Sequence, residues 1–184
     1  MKLDFELVTE RLRLRPYKNA DVLSLVEAIQ DSHAALSPWL TWCTPQYNQD
    51  DAHEWIHASQ QNWRYDISYE LAIFERETDD FIGSTAISNL SEVGNSGELG
   101  YWIRESAQRR GFATEACVAV SQFAFQTLGL TRLEIVTHLG NLASQRTALA
   151  CRAQFECTAR NRIVMQDKAV NGLLFSLIPA DIIG

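Results

Sequence analysis

Glu98-Leu99-Gly100-Tyr101-Trp102-Ile103-Arg104, then Gln108-Arg109-Arg110-Gly111-Phe112-Ala113, then Thr114-Glu115-Ala116, is the stretch on which the fold turns. A β-rich aromatic segment runs into a short loop. The loop opens an apolar-periodic helix, expected from about Thr114 to Thr127 and stopping at Gly129. A strand feeding a helix N-terminus through a tight loop makes an anion site. The first helical N–H groups have no intrahelical partner, and the helix dipole adds partial positive charge. Gly111 and the small Ala113 let a pyrophosphate approach the backbone, with Arg109 and Arg110 as cations beside it. The loop lacks the Lys-Ser/Thr of a P-loop and the three glycines of a dinucleotide fingerprint. Taken alone, a glycine turn with two arginines also describes an ordinary solvated loop.

Outward from this stretch the periodicities define the remaining elements. Leu12 and Leu14 alternate with Arg11, Arg13 and Arg15 before Pro16, which reads as a half-exposed first strand. Asn19 or Asp21 caps a helix through about Gln30 that buries Val22, Leu25, Val26 and Ile29. Leu36 to Trp42 contains Pro38 and reads as a turn or short helix with a hydrophobic lip. An amphipathic helix follows from Asp50 to Arg64. Strands are expected at 69–74, 81–89, 98–104, 133–138, 155–164 and 173–178, with a helix from Asn141 to about Arg152. A long meander before a strand–helix–strand crossover predicts one α/β domain over 1–184. Its sheet is twisted, mixed and mostly antiparallel, with helices on both faces.

The chain has 184 residues, 46% of them hydrophobic, and a formal net charge of −7. That balance disfavours direct nucleic-acid binding, which needs a basic face. No apolar run approaches the roughly 20 residues that span a bilayer, and Met1 to Arg15 has no signal-peptide core. Cys43, Cys117, Cys151 and Cys157 show no C-x-x-C spacing. They are expected to be reduced thiols in a cytosolic (cytoplasmic) protein.

Gln108–Ala113 resembles the Q/R-x-x-G-x-G/A motif of the GNAT acetyltransferase superfamily. Gly100-Tyr101-Trp102-Ile103 and Thr114-Glu115-Ala116 match its flanking context. Thr9–Pro16 resembles the opening strand of the branch that acetylates N-termini of ribosomal proteins. Asn141-Leu142-Ala143-Ser144 matches that branch's N-x-x-S segment, and Arg160-Asn161-Arg162 with Leu174–Ile178 matches its closing strands. The resemblance implies an acetyl-CoA-dependent N-acetyltransferase. Its acceptor would be a primary amine such as a protein N-terminus, it needs no metal, and a homodimer is the default assembly.

The same resemblance implies the site. The strand before the loop splays from its neighbour, and pantetheine lies in the gap against backbone groups of Trp102, Ile103 and Arg104. The N–H groups of Arg109, Arg110, Gly111, Phe112, Ala113 and Thr114 hold the pyrophosphate. Asn141 and Ser144 meet the pantetheine arm near the sulfur. The catalytic candidates are Glu98 as base, the Ile103 N–H as oxyanion donor and Ser144 at the leaving sulfur. Glu98 reads equally as an exposed strand-start charge, and Ser144 as a helix-start hydroxyl bonded to backbone. Two positions depart from the family. Arg152-Ala153 replaces a usual Gly-Phe, which predicts a changed helix end. Ile163 stands where one ribosomal branch carries a carboxylate.

Two rival readings remain. His53-Glu54-Trp55-Ile56-His57 spells H-E-x-x-H, the zinc motif of a small metallohydrolase, although no third ligand follows in helical context. The same fold could also serve as a non-catalytic acyl-CoA sensor.

Overall fold

The computed structural model describes residues 3–183. Met1, Lys2 and Gly184, part of the expected domain and of the leader reading, lie outside the described residues. The strands are β1 (Leu7–Val8), β2 (Leu12–Arg15), β3 (Tyr69–Glu75), β4 (Phe81–Ser91), β5 (Ser96–Ile103), β6 (Arg132–His138), β7 (Gln154–Met165) and β8 (Lys168–Leu177). The helices are α1 (Val22–Asp31), α2 (His33–Leu36), α3 (Gln49–Arg64), α4 (Phe112–Gln126), α5 (Leu142–Ala150) and α6 (Pro179–Ile182). One sheet runs β1-β2-β3-β4-β5-β6-β8-β7, and every pairing is antiparallel except β5 with β6. The expected mixed, mostly antiparallel α/β architecture is therefore observed.

Strand alternation sends side chains to two separate cores. Leu12, Leu14, Leu71, Ile73, Leu99, Ile103, Leu133 and Ile135 pack against Phe112, Val120 and Phe123 of α4. On the opposite face Ala72, Phe74 and Phe81 meet Leu25 and Ile29 of α1 and Ile56 of α3. Leu12 and Leu14 of β2, expected as the first strand, are fully buried, so β2, which the short β1 precedes, is a core strand rather than a half-exposed one. Its Arg15 is buried too, bonded to Asp21 at 2.7 and 2.8 Å. Asp21 also accepts the Lys18 N–H. Removing one member of this pair leaves a buried charge, a loss of about 3–5 kcal/mol.

Several ends differ from the sequence reading. α4 starts at Phe112 rather than Thr114, because Gly111 takes a left-handed φ of 83° as its N-cap. The helix end after Ser144 is not remodelled by Arg152. That residue adopts φ 70°, the left-handed conformation that glycine usually supplies at a helix C-terminus. Cys43, Cys117 and Cys151 are buried free thiols, and Cys157 is exposed. No described helix is long and apolar enough to cross a membrane.

Candidate active site

β5 and β6 pair at only three rungs, Ser96 with Arg132, Gly97 with Leu133 and Glu98 with Glu134. Beyond them β5 stays paired to β4 as far as Ile103 opposite Gly83, and β6 stays paired to β8 as far as His138 opposite Gly172. The two strands therefore splay, and a wedge opens through the sheet. The Arg104 N–H donates to the Ile82 carbonyl at 2.8 Å. By strand alternation the backbone groups of Trp102 also face β4, while those of Tyr101 and Ile103 face the wedge. Of the three residues expected to offer backbone groups, Ile103 faces the wedge, with Tyr101 beside it, while Trp102 and Arg104 face β4. The Arg104 side chain turns towards α1, where it pairs with Asp31 at 3.1 Å. Gln108 Nε2 donates to the Ile103 carbonyl at 3.0 Å, which leaves the Ile103 N–H as that residue's group for a ligand.

The loop–helix junction has the conformation an anion needs. Arg109 and Gly111 both have positive φ, 62° and 83°, which turns successive N–H groups to one side. The first N–H groups of α4 lie next to them. The two arginines part company, however. Arg110 pairs with Glu75 through both guanidinium nitrogens and stacks 4.4 Å over Phe112. Its half-exposed side chain is thus engaged with β3, unlike the free cation expected. Arg109 has no ion pair among the described residues and is the side chain left to meet an anion. The Phe112 side chain is buried in the core, so only its N–H can serve. Glu115 ties this helix start to the first strands. Burial raises its pKa, but hydrogen bonds from the Thr9 hydroxyl, the Arg11 N–H and the Arg11 guanidinium outweigh that and hold it below the ordinary value.

On the far side of the wedge, Asn141 caps α5 by accepting the Ser144 N–H at 3.1 Å. Tyr101 reaches across from β5. Its hydroxyl donates to the Ser144 carbonyl at 2.9 Å and lies 3.1 Å from Ser144 Oγ. Burial raises the Tyr101 pKa, so the phenol is neutral and a donor. The sequence reading missed this residue. Its signal was a tyrosine in the splaying strand, two residues before Ile103.

Glu98 lies on the opposite face, at the closed end of the wedge, and Arg162 clasps its carboxylate at 2.5 Å. Arg162 also faces Glu134 at 3.7 Å, and pairing with Glu98 lifts the Arg162 pKa above its ordinary value. Glu98 is therefore not a free base. Ile163 stays apolar, packed over Gly172 beside Val136.

Above the wedge on that face is a cavity of about 700 Å³, lined by Trp42, Tyr47, Trp55, Gly100, Tyr101 and Trp102 among others. Gly100 is exposed in mid-strand, and a Cβ there would meet nothing within 4 Å. A glycine so placed lets another molecule approach the backbone. Burial, then the Asp51 charge, push the Tyr47 phenol up to about 12. Trp39 lies against the His138 ring at 5.6 Å, so the segment after α2 reaches over the wedge to β6. The H-E-x-x-H helix is divided between surfaces. Glu54 and Trp55 line the cavity, while His53 and His57 do not, and His57 Nε2 meets Gln61 at 3.4 Å. No group of three His, Cys, Asp or Glu suited to a metal occurs among the described residues.

The acetyltransferase (GNAT) domain matches residues 11–154. This chain belongs to the GNAT acetyltransferase family. A ribosomal-protein-serine acetyltransferase of Escherichia coli is 25% identical over 144 residues, covering 77% of this chain and 78% of the relative. A Vibrio cholerae structure provisionally assigned as a ribosomal-protein-serine acetyltransferase is 38% identical, covers 97% of this chain and 100% of its own, and has a TM-score of 0.88. A ribosomal L7/L12 α-N-protein acetyltransferase solved with coenzyme A has a TM-score of 0.84 at 18% identity, covering 94% of this chain and 96% of its own. At that identity the likeness shows the shared fold.

Proposed function

We propose that the protein transfers the acetyl group of acetyl-CoA to the α-amino group of a peptide or protein N-terminus. Small first residues such as Ser or Ala are preferred over lysine side chains. The observation that carries this reading is that neither position expected to supply a base is free to do so, since Glu98 is clasped by Arg162 and Ile163 is apolar. A protein α-amine has a pKa near 8, roughly two units below a lysine ε-amine, so it needs the least help to become neutral. The names of the Escherichia coli and Vibrio cholerae relatives agree with it.

In this reading the pyrophosphate lies on the N–H groups from Arg109 to Thr114, with Arg109 as the cation. The pantetheine arm fills the wedge against Tyr101 and Ile103. The Ile103 N–H polarises the thioester carbonyl as a one-donor oxyanion hole. The neutral amine enters from the cavity over Gly100 and attacks that carbon, the C–S bond breaks as the tetrahedral intermediate collapses, and the proton released by the amine nitrogen passes through water to the departing thiolate, giving amide and free thiol. The Ser144 hydroxyl, held by Tyr101, hydrogen-bonds the departing sulfur. Asn141 fixes the first turn of α5, on which Ser144 sits.

The test is acetyl-CoA turnover against free amines, lysine peptides and peptides with free N-termini. Turnover confined to free N-termini is the expected result. Acetyl-CoA binding without turnover on any amine would replace this reading with the sensor.

A further inference from the structure

The segment that spells a zinc motif has another use. We propose that Glu54, with Trp42 and Trp55, forms a subsite for a second positive charge on the acceptor: a lysine or arginine side chain close behind the N-terminus that is acetylated. This rests on the reading of the cavity as the acceptor cleft.

Five observations converge on it. Asp51 and Glu54 are the acidic residues lining the cavity, and no Lys, Arg or His lines it among the described residues. Asp51 is engaged in the α3 cap, where it accepts the Asn48 N–H at 2.9 Å. Glu54 has no hydrogen bond or ion pair among the described residues. Trp42 and Trp55 are 44% and 42% exposed, an uncommon state for tryptophans in a concave site. Tyr17 is 1% exposed at the cavity wall, and its hydroxyl, beside Ser84 and Trp55, meets no partner at hydrogen-bonding geometry.

Each feature fits one chemistry. A lysine or arginine stem lies along the indole faces, which attract its charged head. The head reaches the unneutralised Glu54 carboxylate. The Tyr17 hydroxyl, kept neutral by burial, leaves an unused donor in the cavity wall. An acidic acceptor would face two carboxylates with no cation nearby. The bound charge is not that of the reacting amine. A carboxylate beside an amine favours its protonated form, which cannot attack a thioester. Glu54 therefore serves a second cation, and the formal net charge of −7 draws such acceptors in at long range.

The experiment measures kcat/KM on peptides with a free N-terminal serine that differ only in carrying Lys, Gln or Glu at the second, third or fourth position. At the best position Lys should exceed Gln by about tenfold, the equivalent of about 1.4 kcal/mol for a partly desolvated charge-assisted hydrogen bond. In Glu54→Gln that ratio should fall to about one. In Glu54→Lys the Glu peptide should overtake the Lys peptide. Equal rates across the wild-type series, or a Lys preference that survives Glu54→Gln, overturns the subsite. A linear diamine is the control arm. If it is acetylated with the same Glu54 dependence while the peptides are not, the subsite stands and the N-terminal reading falls.

Discussion

The Tyr101 hydroxyl points inward, to the carbonyl and Oγ of Ser144. That contact fixes where the serine hydroxyl stands at the edge of the wedge. Tyr101→Phe keeps the ring and its packing and removes the hold. Stability should fall by about 1 kcal/mol, the net contribution of one hydrogen bond. kcat should fall roughly tenfold with acetyl-CoA KM nearly unchanged, as expected when an interaction realised in the transition state is lost. Steady-state kinetics with a thermal melt checks both, and a raised KM at unchanged kcat would speak against the positioning role. Glu98 gives the complementary case. Because Arg162 holds it, Glu98→Gln should reduce turnover by a similar factor at pH 7 and pH 9. A loss confined to pH 7, where the amine is mostly protonated, would restore it as the base. Sequence alone placed Glu98 at the strand start. It did not show Arg162, because that contact joins residues 64 positions apart across three strands.

Two glycines separate the two ligands at the scale of elements. Gly111 caps α4 at φ 83°, and Gly100 opens the cavity on the other face of β5. Acetyl-CoA at about a hundred times its Kd should stabilise the protein by roughly 2.7 kcal/mol. Gly111→Asp should abolish that shift, since a side chain strains the left-handed turn and its charge enters the anion site. Gly100→Val should keep the shift yet cut peptide turnover by at least about tenfold, because its side chain fills the cavity. Paired thermal-shift and turnover assays read both variants. Loss of acetyl-CoA stabilisation in Gly100→Val would refute the division between faces. Strands β2 to β8, the longer helices and the loop motif were legible from periodicity and glycine placement, whereas the short β1 and α6 were not. The family resemblance supplied the wedge. Which backbone groups face it was not legible, because strand alternation can be fixed only once the Arg104 N–H is seen on Ile82. The division of Arg109 from Arg110 depends on Glu75, a residue of a different strand.

Over the whole molecule, carboxylates held by arginines tie the sheet together, and their protonation sets its acid limit. Bonds from Arg132 and the Ser176 hydroxyl hold Glu156 at about 2, against an ordinary 4.5. The folded pKa lies below the unfolded one, so the folded state binds fewer protons. The contribution is full above about 4.5 and is lost as pH falls towards 2. Denaturant melts between pH 6 and 2.5 should show stability falling through that window, with a shallower fall in Glu156→Gln. Parallel curves for the two proteins would contradict this role. The same scale explains the misleading zinc motif. Helical periodicity put His53 and His57 on one side of α3 and Glu54 on another, and only the surrounding sheet turns Glu54 into part of the cleft.

The proposed acceptor is an α-amine that enters through that cleft. The most direct measurement gives the enzyme acetyl-CoA and a peptide carrying a free N-terminal serine and an internal lysine, then locates the acetyl group by fragment-ion mass spectrometry. The account predicts acetyl on the N-terminal nitrogen and none on the lysine side chain. Acetyl found exclusively on lysine, or a peptide left untouched while small free amines are acetylated, would contradict it.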